Sequence, residues 1–283
     1  MRGTIVTPER GWDRALRGVR RLPARLVRAY QARTARVNPA PVFVLGNQKS
    51  GTSAVAALLA RATGTSVTID IFFRYPERLL ERLHRGEVGF ADLVERARVC
   101  FSTDIVKEPS LTFFYDELKA FFTEARFVFV LRDPRDNIRS ILNRLCIPGE
   151  LSDLEAQHRQ SLRDKPGWAL LMDGTLLGYG GGTYIERLAK RWNRAADVYA
   201  PGEGMALLRY EDFVRDKAGS IARLAAAVRL EPTHDLGRWV DLPYQPPGQK
   251  GLSWREFYGP ENLTRIESIC GERMKRFGYE PAS

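Results

Sequence analysis

The chain has 283 residues, 44 lysines and arginines against 34 aspartates and glutamates, and a formal net charge of +10. That length buries a sizeable core and suits one compact α/β domain. Three widely spaced cysteines (Cys100, Cys146, Cys270) and three histidines exclude a disulfide framework, a CxxC-type zinc site and a His-rich metal centre, and they fit a reducing compartment.

The charge is concentrated at the start. Residues 1–36 hold ten arginines against Glu9 and Asp13, a surplus of eight out of the formal ten. Trp12, Leu16, Val19, Leu22, Leu26 and Tyr30 recur at helical spacing, with Arg14, Arg17, Arg21, Arg25 and Arg28 mainly between them and Pro23 dividing the run. This predicts a basic amphipathic helical extension over residues 1–38. Two roles stay open for it: lying on an anionic membrane surface through residues 1–36, or packing its apolar face on the domain that follows. No apolar run approaches the ~18–20 residues needed to span a bilayer. The first 30 residues also lack the apolar centre of a secretory signal. The expected location is cytoplasmic. The near-neutral remainder of the chain argues against a nucleic-acid partner.

Val42–Leu45 reads as a short buried strand. Gly46 opens a tight turn, and Ser50-Gly51-Thr52-Ser53 leads into the helical run Ala54–Ala60. A strand, a glycine-bearing loop and a helix N-terminus make an anion cradle, because backbone N–H groups and the helix dipole converge there. A nucleoside-triphosphate loop needs lysine straight after its second glycine. Thr52 occupies that position, and Lys49 lies inside the loop.

Further on, Val67–Ile71 reads as a strand, Pro76–Arg85 as a helix, Asp104–Lys107 as a strand, Leu111–Phe122 as a helix and Arg126–Leu131 as a strand. Such alternation predicts a three-layer α/β fold, a central parallel β-sheet flanked by crossover helices. Arg132 follows the last of these strands, where open sheets place their ligands. In Arg132-Asp-Pro-Arg-Asp-Asn-Ile-Arg-Ser140, Asp133 caps the next helix, Pro134 suits its first turn, and Ser140 lies about two turns on. Arg135 and Arg139 are expected to be ion-paired or solvent-facing. The pattern breaks down over 148–183, which has an apolar patch at Trp168–Met172 and the glycine run 178–182. So long an irregular stretch predicts a substrate lid. A helix Tyr184–Tyr199 and a strand running into Tyr210-Glu-Asp212 follow.

Lys49-Ser-Gly-Thr-Ser53 resembles the 5′-phosphosulfate loop of the sulfotransferases, with Gln48 at the usual proline. Arg132 and Ser140 resemble the family's 3′-phosphate motif. The resemblance runs over about residues 40–280 and implies a P-loop-like fold, with a sulfotransferase domain at 39–283. It also implies a donor, 3′-phosphoadenosine 5′-phosphosulfate (PAPS), with adenosine 3′,5′-bisphosphate (PAP) as product and no metal.

By that resemblance Lys49, Ser50, Gly51, Thr52 and Ser53 hold the phosphosulfate. Arg132 and Ser140 hold the 3′-phosphate, and Tyr210 approaches the adenine. Lys250 and Gly251 match the family's late Arg-Lys-Gly loop, without its arginine. The tryptophan that follows the loop in cytosolic members is Ala54 here, so adenine stacking must come from elsewhere. The cytosolic Lys-x-His reads Lys107-Glu108-Pro109. Lys107 therefore carries over and the histidine does not.

A carboxylate at the end of the second strand, used by glycosaminoglycan and tyrosyl sulfotransferases, is matched by Asp70. Asp70, Glu108 and His84 remain candidates for the base, and an acidic base between Lys49 and Lys107 is expected to have a lowered pKa. The sulfuryl group moves to a hydroxyl or amine of a small-molecule, glycan or lipid-linked acceptor, which the sequence leaves open along with the oligomeric state. Two other classes compete: a small-molecule kinase, opposed by Thr52, and a non-catalytic nucleotide- or membrane-binding module.

Overall fold

Alternate residues of the apolar runs face opposite sides of one sheet, and both sides are covered. The structure, a computed structural model, describes residues 5–6, 34–72, 75, 78–201, 204–241 and 251–281. The strands are β1 (Ile5–Val6), β2 (Val42–Leu45), β3 (Val67–Ile69), β4 (Ile105–Lys107), β5 (Arg126–Leu131) and β6 (Met205–Arg209), in spatial order β1-β3-β4-β2-β5-β6. From β3 to β6 every pairing is parallel, and β1 pairs antiparallel with β3 at the edge. The expected parallel sheet with flanking helices is what forms.

Val42, Val44, Val128 and Val130 point to one face. There they pack on α1 (Thr52–Thr63) and α10 (Lys217–Ala227) through Val55, Leu58, Leu59, Ile221 and Leu224. Phe43, Leu45, Phe127 and Phe129 point to the other. That face is covered by α4 (Tyr115–Phe121), α5 (Pro134–Leu145), α8 (Tyr184–Asp197) and α11 (Trp254–Arg276). Burial on both faces explains why these strands read as continuous apolar runs.

Several boundaries differ from expectation. β3 ends at Ile69, because Asp70 turns into the left-handed region with φ 59°. The helix expected from Pro76 is described as α2 (Leu79–His84), and α3 (Phe90–Arg96) follows where none was expected. Leu111–Phe122 divides into a 3₁₀ turn, Pro109–Phe114, and α4. The first of these begins early because the Glu108 side chain accepts from the Ser110 N–H and Pro109 suits the first turn.

The 148–183 stretch is not irregular. It forms α6 (Ala156–Arg163), α7 (Pro166–Asp173) and a 3₁₀ turn, and α9 (Tyr210–Arg215) follows β6. Within the basic helical extension expected over 1–38, Ile5–Val6 forms strand β1 instead, and residues 7–33, which carry the expected amphipathic helix, lie outside the described residues.

Candidate active site

Each of the five parallel strands delivers one chemistry-bearing residue at its carboxyl end. Lys49 sits in the loop after β2, Asp70 directly after β3 and Lys107 at the end of β4. Arg132 directly follows β5, and Tyr210 directly follows β6. All five line one cavity of about 920 Å³, together with Gly51, Thr52, Ser53, Glu108 and Ser140. The volume is at the upper end of small-molecule sites, roughly 300–1,000 Å³, and leaves room for two substrates.

The loop after β2 is tightly specified. A Cβ at Gly46, where φ is 138°, would lie 2.3 Å from the Val130 carbonyl oxygen. One at Gly51, where φ is 92°, would lie 2.4 Å from the Tyr210 ring. Lys49 also takes a positive φ of 70°, a conformation that costs a non-glycine residue about 1–2 kcal/mol. Strain at this position is held by the surroundings.

Buried Asn137 of α5 donates from Nδ2 to the Gln48 carbonyl at 2.9 Å and to Ser50 Oγ at 2.9 Å, and its Oδ1 accepts from Asn47 at 2.9 Å. Arg191 of α8, 3% exposed, donates to Asn47 Oδ1 at 3.1 Å and also to Gln48 Oε1. The loop is therefore shaped before any ligand arrives. Gly51 caps α1 without a side-chain bond to its amides, leaving that N-terminus suited to an anion.

Beside it, Arg132 donates to the Lys49 carbonyl at 3.0 Å, and its guanidinium lies 4.5 Å from the Tyr210 ring centre. Its Nε is buried with no hydrogen-bond partner, which fits a ligand anion as the missing acceptor. Ser140, on α5, opens onto the same cavity. Arg135 is buried in ion pairs with Asp133 and Glu267, and Arg139 pairs with Asp136. Neither arginine is available, as expected. Asp133 caps α5 through the Arg135 N–H.

At the reacting end, Lys107 makes an ion pair with Asp70 through Oδ1. The pairing follows from register, since Ile69 lies opposite Lys107 and the Asp70 N–H donates to the Lys107 carbonyl at 3.0 Å. Asp70 Oδ2 accepts no hydrogen bond among the described residues.

Glu108 behaves differently. Its two oxygens accept from the backbone N–H groups of Ser110 and Phe72, and burial raises its pKa. The expected lowering fails here because burial outweighs the neighbouring lysine. The Lys49 ammonium is pushed down to about 8, by burial first and then by Arg144, Arg132 and Lys107. His84 is pushed down to about 4 by burial, lies against Phe114 and does not line the cavity.

Gly251 is exposed and outside the cavity lining, and Lys250 lies outside the described residues. The backbone next to Gly251 is nevertheless tied to α5, because Arg139 donates to the Leu252 carbonyl at 2.9 Å.

Residues 74–235 match the sequence profile of the sulfotransferase family. The chain belongs to the sulfotransferase family. Sulfotransferase STF9 from Mycobacterium avium is 14% identical, with 91% of this chain and 81% of that one covered and a TM-score of 0.51, a likeness of fold. STF1 from Mycobacterium tuberculosis H37Rv is 15% identical over 88% of this chain and 80% of that one, with a TM-score of 0.46. The sulfotransferase from Alicyclobacillus acidocaldarius is 17% identical over 82% and 96%, with a TM-score of 0.42. No curated protein matches. Among the described residues, no helix of this sulfotransferase is long and apolar enough to cross a membrane.

Sequence reasoning missed Asn137 and Arg191, which shape the loop. Both carried a local signal. Asparagine is a poor helix-interior residue, and Arg191 interrupts the buried face formed by Leu188, Trp192 and Ala195.

Proposed function

We propose that the protein transfers a sulfuryl group from PAPS to a hydroxyl of an acceptor, leaving PAP. The observation that carries this reading is the convergence of five strand ends on one cavity, with Lys107 and Arg132 on the strands either side of the Lys49 loop and the Asp70 carboxylate beside Lys107. The donor would supply a sulfur–oxygen bond with a phosphate leaving group. The α1 N-terminus and residues Ser50 to Ser53 would hold its 5′ end, Arg132 and Ser140 its 3′-phosphate, and Tyr210 would lie near the adenine. Tyr210 and neighbouring Phe213 and Val214 line that side of the cavity, which offers apolar surface in place of a tryptophan at Ala54.

Asp70 is the base in this reading. Lys107 fixes one carboxylate oxygen and leaves the other for the acceptor proton. Lys49 offsets the negative charge that grows on the bridging oxygen, where pre-placed charge contributes most. Glu108 shapes the turn through its backbone bonds and is not the base. The acceptor is a small molecule, glycan or lipid-linked alcohol. The chain works in the cytoplasm, with residues 1–36 reaching an anionic membrane surface; its three free cysteines support that compartment.

Thermal stabilisation tests the donor. PAP should raise Tm at concentrations where ATP with Mg²⁺ does not. The reverse order would favour the kinase reading.

A further inference from the structure

Beyond the reacting groups, the cavity has a second region with its own character. Phe72, Leu79, Leu145, Trp168 and Leu171 make its wall apolar, the last two coming from α7 of the segment between β5 and α8. Into this region projects Arg144, one helical turn past Ser140 and so on the same face of α5.

The other arginines on α5, Arg135 and Arg139, are neutralised by carboxylates. Arg144 has no hydrogen-bond or ion-pair partner among the described residues, and it is exposed. Arg144 lines the same cavity as Lys49, Asp70 and Lys107. It lies a turn farther from the end of β5 than Ser140, next to Leu145, and lines the cavity together with Trp168 and Leu171. The donor's phosphates already have the α1 N-terminus, Lys49 and Arg132. A guanidinium without a carboxylate partner, lining the cavity along with this apolar wall, can pair with an anionic group of a bound acceptor.

We propose that Arg144 binds an anionic group of the acceptor, and that the acceptor is an amphipathic alcohol. Its apolar chain lies against Trp168 and Leu171, and its carboxylate or phosphate lies within a few bonds of the accepting hydroxyl. This rests on the sulfuryl-transfer reading of the site.

The test is calorimetric titration of the full chain loaded with PAP. Three probes are compared: 3-hydroxydecanoate for a carboxylate, 2-hydroxydecyl phosphate for a phosphate, and neutral 1,3-decanediol. One of the anions should bind at least tenfold more tightly than the diol, and which one identifies the acidic group. Arg144→Gln should bring that anion down to the affinity of the diol while PAP affinity stays within twofold, and Arg144→Lys should recover part of the preference. Equal affinities for all three probes in the unmutated protein would overturn the proposal and leave the donor reading intact. So would a loss of PAP affinity in Arg144→Gln like that in Arg132→Ala, which would assign Arg144 to the donor. Failure of the unmutated protein to bind PAP would overturn the donor reading, and this proposal with it.

Discussion

The Lys49 ammonium offers a quantitative handle on the donor site. Its pKa is lowered from the ordinary 10.5 to about 8 by burial and by the Arg144, Arg132 and Lys107 charges. On the proposed assignment, PAP binds the protonated form. About nine in ten molecules carry that proton at pH 7 and about one in ten at pH 9, so affinity should fall about tenfold over this range, or ~1.4 kcal/mol. Titration calorimetry at pH 7, 8 and 9, in buffers of different ionisation enthalpy, measures both quantities at issue. The dissociation constant should rise above pH 8, and proton uptake on binding should approach one at pH 9. In Lys49→Met both effects should vanish. The same shift sets the sign for folding. Between about pH 8 and 10.5 the unfolded chain binds more protons at this residue, so its contribution makes the ligand-free protein more stable as pH rises through that window. A flat affinity from pH 7 to 9, or an identical slope in Lys49→Met, would refute the reasoning.

Arg132→Ala should weaken PAP binding by about a hundredfold, since charge-assisted bonds contribute roughly 1.5–3 kcal/mol, and Ser140→Ala by about tenfold or less. Equal affinities for both variants and the unmutated protein, by calorimetry, would remove the 3′-phosphate assignment. Asn137→Ala should lower stability by about 1–3 kcal/mol in urea denaturation, because it leaves buried Asn47 and Gln48 groups without partners, and should weaken PAP binding as well. Unchanged PAP affinity would show that the loop holds its shape without this bond. Asp70→Asn should abolish turnover at saturating acceptor while PAP still binds. Glu108→Gln should instead lower Tm, since the amide puts a donor in place of an oxygen that accepts from a backbone N–H; collapse of turnover only in Glu108→Gln would exchange the two roles. Gly51→Ala should displace Tyr210 and lower PAP affinity, because the added methyl would sit 2.4 Å from its ring; a crystal structure with Tyr210 unmoved would contradict this.

The parallel sheet was legible because Val42–Leu45 and Arg126–Leu131 are apolar on both faces, as strands covered by helices on each side must be. The phosphate loop was legible because glycine spacing and the position of one lysine are local facts. What was not legible depends on partners distant in sequence. Asn137 and Arg191 acquire their role only when α5 and α8 pack beside the loop. Asp70 and Lys107 are paired by strand register, which neither segment contains alone. The 148–183 segment read as irregular because α6 and α7 are eight residues each and bury few side chains, His158 and Leu162 in one and Leu171 and Met172 in the other. That is too short a stretch for helical periodicity to emerge. The Glu108 carboxyl misled in the opposite way, since its charged neighbour was visible in the sequence and its burial was not.

The order of strands across the sheet divides the site between the two substrates. On the proposed assignment, β5 and β6 carry the groups that face the nucleotide, β2 carries the loop at the transferred sulfur, and β4 and β3 carry those that face the acceptor. The strand-end groups thus run along one axis from nucleotide to acceptor, and Arg144 reaches the acceptor from the far end of α5. On that assignment, substitutions at the β3 edge, in α7 or at Arg144 would change the acceptor while leaving the nucleotide-facing residues Arg132, Ser140 and Tyr210 in place.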